Sequence, residues 1–91
     1  MSNQITVNRD VIVEIRKKVS LFREEAEEAL KNAERSVHNA EIEGWNDSRY
    51  EEFYDMYSEI QQNLLSEFKR IDEEIIPYLR RMEVSFDDFF A

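Results

Sequence analysis

The sequence predicts an all-α fold, in which an antiparallel two-helix hairpin dimerises into a four-helix bundle. Apolar residues recur at alternating steps of three and four along most of the chain, which is the spacing of a single helix face. The only glycine, Gly44, lies near the middle of the 91 residues, and three good helix-capping residues follow it within four positions. No linker rich in glycine, proline or serine interrupts either half. We therefore expect one domain, residues 1–91.

The first helix is expected from about residue 8 to residue 43. Thr6 and Asn8 are both candidate N-caps, and Gly44 suits the left-handed position after the last turn. The side chains predicted to face the second helix are small or apolar and follow a heptad seam: Ile12, Ile15, Val19, Phe22, Ala26, Ala29, Ala33, Ser36 and Ala40.

The bend is expected at residues 44–47, which are Gly44, Trp45, Asn46 and Asp47. A Schellman turn at Gly44 would direct Trp45 back onto Ala40, so the tryptophan is predicted to fix the angle between the helices. Ser48 with Glu51 three residues later has the spacing of a capping box.

The second helix is expected from about residue 48 to residue 83, with a break at Pro77 because proline lacks a backbone donor and restricts the residue before it. The stretch after it is expected to fray or to form a separate turn capped by Ser85. The predicted seam of this helix consists of Tyr50, Phe53, Tyr57, Ile60, Leu64, Phe68, Ile71, Ile75, Tyr78, Met82, Phe86 and Phe89.

Further apolar residues flank both seams, and a lone hairpin is not expected to bury them. An apolar stripe wider than one partner helix requires is typical of a bundle member, so these residues are the predicted interface with a second hairpin. They are Leu21, Leu30, Val37, Met56, Leu65, Ile76 and Leu79.

The charge of the chain limits the classes of partner. With 21 Asp and Glu residues against 12 Lys and Arg residues, the net charge is −9, which repels nucleic-acid backbones and anionic membranes. No apolar run approaches the length of a membrane span or of a signal peptide core. Cationic or amphipathic proteins are the expected partners, and neither nucleic-acid binding nor membrane insertion is expected.

The sequence predicts no catalytic, cofactor or metal site. His38 lies near Glu34 and Glu41 on one helix face, but the Glu-x-x-His spacing of di-iron bundles is missing because position 35 is arginine. The basic cluster at residues 16–18 is expected to pair with acids of the second helix. The aromatic residues at positions 50, 53, 54 and 57 have two interpretations, helix core or ligand cage, and their spacing favours the core.

The layout of a helical hairpin with a tryptophan at its bend resembles the WXG family of type VII secretion substrates and partners. That family has Trp-x-Gly at the bend, whereas this chain has Trp45, Asn46 and Asp47, which suggests a divergent relative. The resemblance implies a non-enzymatic protein that dimerises with itself or with a related helical protein, including the helical N-terminal region of a secreted toxin. It also implies a cytoplasmic protein or one secreted without a signal peptide.

Many family members carry a Tyr-x-x-x-Asp/Glu export signal, and none of the four tyrosines of this chain has an acid four residues later. The resemblance therefore implies that this protein travels with a partner that supplies the signal. Two other classes stay open from the sequence: a small acidic inhibitor or immunity-type protein, and a coiled-coil adaptor from a phage or mobile element.

Overall fold

The computed structural model describes residues 8–90 and their side chains through Phe86, and it is an antiparallel helical hairpin about 63 Å long and 23 Å across. The first arm is α1, Arg9–Ile42. The second arm consists of α2, Ser48–Arg70, a π-helical turn, Ile71–Ile75, and α3, Ile76–Phe90. The residues described contain helices and turns alone, so the prediction of an all-helical hairpin is confirmed.

The two ends of α1 are fixed by local hydrogen bonds. At its start, the Asn8 side chain accepts a bond of 3.1 Å from the backbone N–H of Val11, while the alternative cap, Thr6, lies outside the described residues. At its end, Gly44 has a φ of +107° and its N–H donates to the carbonyl of Glu41. The N–H of Trp45 donates to the carbonyl of Ala40, which completes a Schellman motif.

The second arm begins with Asp47 as its N-cap. The Asp47 carboxylate accepts bonds of 3.0 Å and 3.1 Å from the backbone N–H groups of Arg49 and Tyr50, and hydrogen bonds from both residues lower its pKa, with the Arg49 side chain the largest cause. Ser48 is thus the first helical residue. The expected capping box of Ser48 and Glu51 is corrected, because a cap at Asp47 places Tyr50 at the position that Glu51 would need to occupy.

The irregularity in the second arm is a π turn immediately before Pro77. The N–H of Ile76 donates to the carbonyl of Ile71, five residues back. The wider turn accommodates one extra residue, and Pro77 lies in the first turn of α3, where its missing donor disturbs the helix least.

The helix then continues to Phe90, beyond the predicted end near residue 83, and Ser85 lies inside it without starting a separate turn. Leu79 and Glu83 of α3 are both buried against α1. This packing holds the final turns in helical register and overrides the local propensity that suggested an end. The side chain of Phe89, a predicted seam residue, lies outside the described part.

The core between the two arms is narrow. Among the described residues the buried apolar side chains are Ile12, Leu30, Tyr50, Phe68 and Leu79. The predicted seam is correct at Ile12, Tyr50 and Phe68, but about half of its members are exposed. The exposed ones are Ile15, Phe22, Ala29, Ala33, Ser36, Ile60, Leu64, Ile75 and Tyr78.

Most of the wrongly predicted seam positions differ from the observed inward positions by one residue. In α1, the predicted positions 15, 22, 29 and 36 are replaced by the next residues, Arg16, Arg23, Leu30 and Val37, which are buried or half-buried. After the π turn the same displacement puts Ile76, Leu79 and Glu83 inward in place of residues 75, 78 and 82. In the second arm this shift equals the one extra residue of the π turn.

Candidate functional site: the two faces of the hairpin

An antiparallel helix pair has two broad faces, one on each side of the plane that contains both axes. From any inward residue, the position three residues later is rotated to one side and the position four residues later to the other, because a turn has 3.6 residues. A two-fold axis normal to the plane exchanges the helices and leaves each face in place. Positions with the same offset on both arms therefore share a face.

The positions four residues after the inward ones are polar and contact each other across the hairpin. Arg16, four after Ile12, donates from Nε and from Nη2 to the two carboxylate oxygens of Glu83, four after Leu79. Glu83 is buried. The hydrogen bond from Arg16 holds the pKa of Glu83 below its usual value. We call this side of the hairpin the polar face.

A second charged group lies further along the polar face. The Arg23 guanidinium donates to both oxygens of Asp72, at 3.2 Å and 2.9 Å, and to Glu27 at 2.8 Å. Its central carbon also lies 4.6 Å from the centroid of the Phe68 ring, in cation–π contact. Arg16 and Arg23 thus have acidic partners on the half of the polar face that is remote from the bend.

The half of the polar face near the bend is different, because its acids lack basic partners. A half-open cleft of about 200 Å³ lies there, lined by Glu34, Val37, His38, Glu41, Tyr50, Tyr54, Tyr57 and Gln61. The Gln61 side-chain amide donates to the Glu34 carboxylate. The Tyr50 hydroxyl donates to the backbone carbonyl of Val37 at 3.3 Å, and a carboxylate oxygen of Glu41 lies 3.5 Å from the same hydroxyl as a second acceptor. We call this site the tyrosine cleft.

Tyr57 is the unusual member of the tyrosine cleft. Its hydroxyl oxygen is buried and has no hydrogen-bond partner among the described residues. Burial, with the nearby carboxylate of Glu34, raises the pKa of this phenol, and burial with Glu41 raises that of Tyr50. An unpaired buried hydroxyl is destabilising by about 1–3 kcal/mol, so Tyr57 is a position where structural stability is reduced.

The positions three residues after the inward ones form the opposite face, and they are apolar. Phe22 and Ile60 are 61% and 59% exposed there. We call this side the apolar face and define it by Ile15, Phe22, Ala29, Ala33, Ala40, Phe53, Ile60, Leu64, Ile71 and Met82. Exposed apolar side chains that recur along one face of a small protein are typical of an interaction site.

Trp45 adjoins the apolar face at the bend. Its ring is stacked on Phe53, with centroids 5.6 Å apart, and meets Tyr50 edge to face at 5.2 Å. The side chain is 40% exposed. The tryptophan therefore covers the first turns of α2 and also leaves part of its ring accessible at the tip of the hairpin.

The seven predicted interface residues do not form one surface. Leu30 and Leu79 are buried between the arms, which corrects the expectation that a hairpin leaves them uncovered, and Val37 and Ile76 are half-buried beside the clefts of the polar face. Leu21, Met56 and Leu65 are exposed on separate sides. Leu21, for example, precedes Leu30 by nine residues and so points about 180° away from it.

Two further sequence predictions concern charged residues. His38 is exposed and lines the tyrosine cleft with Glu34 and Glu41. Among the described residues, these and other His, Asp and Glu side chains form no group of three or more that could hold a metal ion. The expected pairing of the basic cluster is found for Arg16 with Glu83 across the hairpin, whereas Lys18 pairs with Glu14 on its own helix at 3.7 Å.

The sequence interpretation favoured the core over a ligand cage at residues 50, 53, 54 and 57 and so missed the tyrosine cleft, and it also missed the buried Glu83. The signal for both is the polar residue that recurs four positions after an inward one on each arm, as in Arg16, Arg23 and Glu34. A search for apolar periodicity ignores such positions, although an arginine stem can cover apolar surface while its head forms an ion pair.

None of the helices in the described part of the chain combines the length and hydropathy that a membrane span requires. No protein-family model, curated protein or solved structure matches the chain.

Removing the hydroxyl of Tyr50 and removing that of Tyr57, in separate variants, should change the free energy of unfolding in opposite directions. Tyr50→Phe deletes a hydrogen bond and is expected to lower the free energy of unfolding by about 1 kcal/mol, whereas Tyr57→Phe removes an unpaired buried group and should raise it by about 1 kcal/mol. Urea unfolding followed by circular dichroism measures both. Equal destabilisation by the two substitutions would mean that the Tyr57 hydroxyl has a partner in solution.

Proposed function

We propose that the protein is a non-enzymatic, WXG-like partner or adaptor of type VII secretion that acts by forming a four-helix bundle with a second copy of itself. The observation that carries the bundle is the apolar face. Two arms cover each other along one line, yet both carry a second row of apolar side chains that this contact leaves exposed. A second hairpin laid on this face would bury both rows.

The dimensions of the face support a second copy as its occupant. A rod of 63 Å by 23 Å presents a side of about 1,400 Å², compared with the ~800 Å² that each partner buries in a standard stable interface. A standard interface would therefore need only part of this side. Ala29 and Ala33 add small side chains that permit close approach of a facing helix.

Charge also supports a second copy, although the chain carries a net charge of −9. Beside the apolar face, Arg70 pairs with Glu67 and Glu74, at 3.4 Å and 3.1 Å. The acids that lack basic partners in the tyrosine cleft lie on the polar face. Two copies joined through their apolar faces would keep those carboxylates apart, which reduces their mutual repulsion.

The secretion part of the proposal rests on the resemblance, and two features of the bend support it. Gly44 and Trp45 form a fixed turn, and the partly exposed Trp45 ring is accessible to a secretion component at the tip of the hairpin. Since none of Tyr50, Tyr54, Tyr57 and Tyr78 has an acid four residues later, we propose that a signal-bearing helical partner accompanies the protein during export.

Association is tested by light scattering on a matched pair of variants. The wild type should have twice the 11.0 kDa mass of one chain. Phe22→Glu places a charge in the apolar face and should weaken the dimer at least about tenfold, because burying an unpaired charge is costly. Leu21→Glu makes the same change on the adjacent residue, which points to the outer edge of α1 and not into the apolar face, and should remain a dimer. A wild-type chain that melts cooperatively as a monomer would contradict the proposed dimer.

Export is tested in bacteria that contain a type VII apparatus. The chain should appear in the culture medium when a signal-bearing helical partner is co-expressed, and deletion of the secretion ATPase should remove it from the medium while its cellular level is kept. Medium levels that are independent of the ATPase would refute the secretion part and leave the dimer untouched.

A further inference from the structure

The tyrosine cleft combines three features that recognise organic cations. It contains two carboxylates, Glu34 and Glu41, and neither forms an ion pair with a basic side chain in the described part of the chain. It contains three aromatic rings, of which Tyr54 is 46% exposed and lies 6.0 Å from the Tyr50 ring. Carboxylates and aromatic faces together attract a cation more strongly than either group alone.

The surroundings of Tyr54 extend the acidic region. A second, shallower cleft adjoins the first and is lined by Glu41, Tyr50, Glu51, Tyr54 and Asp55. Glu51 and Asp55 likewise form no ion pair with a described residue. The contrast with the other half of the same face is clear, because there Arg16 and Arg23 already occupy the equivalent positions and neutralise the acids.

Tyr57 gives an independent indication. It lines the tyrosine cleft, and its buried hydroxyl has no partner. A ligand group with several N–H donors that enters the cleft would supply a hydrogen-bond partner for this hydroxyl, after a small adjustment of the Tyr57 ring. Gln61, the one amide in the lining, already donates to Glu34 and cannot meet this need with the same hydrogen.

The volume limits the size of the ligand. About 200 Å³ is below the ~300–1,000 Å³ of clefts that take drug-sized molecules, so the site fits one side chain. Guanidinium suits it better than ammonium, because the planar group stacks on aromatic rings and presents five N–H donors to carboxylates.

We propose that the tyrosine cleft binds an arginine side chain presented by a basic protein partner. The site lies on the face opposite the apolar face, so it does not depend on the proposed dimer. The net charge of the chain would draw such a partner toward it, and the cleft would select the arginine by stacking on Tyr54 and by hydrogen bonding to Glu34 and Glu41.

The test uses the full chain and follows its tyrosine signals by NMR while N-acetyl-arginine-methylamide is added. The signals of Tyr54 and Tyr57 should shift to saturation. N-acetyl-lysine-methylamide should bind several-fold more weakly, and sodium chloride at the same ionic strength should give no saturating shift. Identical responses to arginine and to sodium chloride would overturn the proposal.

Variants locate the site. Glu34→Gln with Glu41→Gln should weaken arginine binding at least about tenfold, since charge-assisted hydrogen bonds are lost. Glu25→Gln with Glu52→Gln changes the net charge equally on exposed positions outside the cleft and should leave binding within about twofold. Equal weakening by both pairs would show long-range attraction without a site and would also overturn the proposal.

Two additional variants keep the result independent of folding and of dimerisation. Tyr54→Leu alters an exposed side chain, so it should retain helicity while weakening arginine binding several-fold. Phe22→Glu, designed to disrupt the dimer, should bind arginine as the wild type does. Full binding by Tyr54→Leu would contradict the stacking that the proposal requires.

Discussion

Two antiparallel helices contact each other along a single line, and this limit determines the roles of the other side chains. Along that line the chain places five buried apolar residues, Ile12, Leu30, Tyr50, Phe68 and Leu79. Residues three positions later are apolar and are exposed or half-buried, and residues four positions later are polar and paired or lie in a cleft. The hairpin thus has one apolar face and one polar face, which provide two chemically different surfaces for association.

The bend and the π turn preserve this division. At the bend, the Schellman motif at Gly44 and the Asp47 cap fix where each helix begins and ends, and Trp45 covers the first turns of α2 by stacking on Phe53. In the second arm, the π turn absorbs one residue before Pro77. Without that extra residue, continuation of the α-helical phase would favour Ile75 over Ile76 as the residue facing α1.

The sequence was sufficient to predict what depends on local chemistry: the all-helical hairpin, a cap at Asn8 as one of two candidates, and the turn at Gly44. It also predicted that the basic cluster pairs with acids of the second helix, which holds for Arg16. It was insufficient for the rotation of each helix, because the apolar stripe is wider than the contact and its centre lies between the core and the apolar face. The apolar pattern therefore predicted Phe22 as a core residue and Leu30 as a flanking one, whereas Phe22 is exposed and Leu30 is buried. The tyrosine cleft and Glu83 depend on side chains from both arms, which no single-helix pattern contains.

In the proposed dimer, association buries the apolar face and leaves the polar face accessible. The chain has no cysteine, so single thiols report this directly. Ala33→Cys labels the apolar face and Ser20→Cys labels the cleft of the polar face near Arg23. The measurement is the rate of thiol modification at increasing protein concentration. The Ala33→Cys thiol should become progressively protected while the Ser20→Cys thiol keeps its rate. Protection of the Ser20→Cys thiol alone, or unchanged rates at both positions, would contradict the proposed dimer.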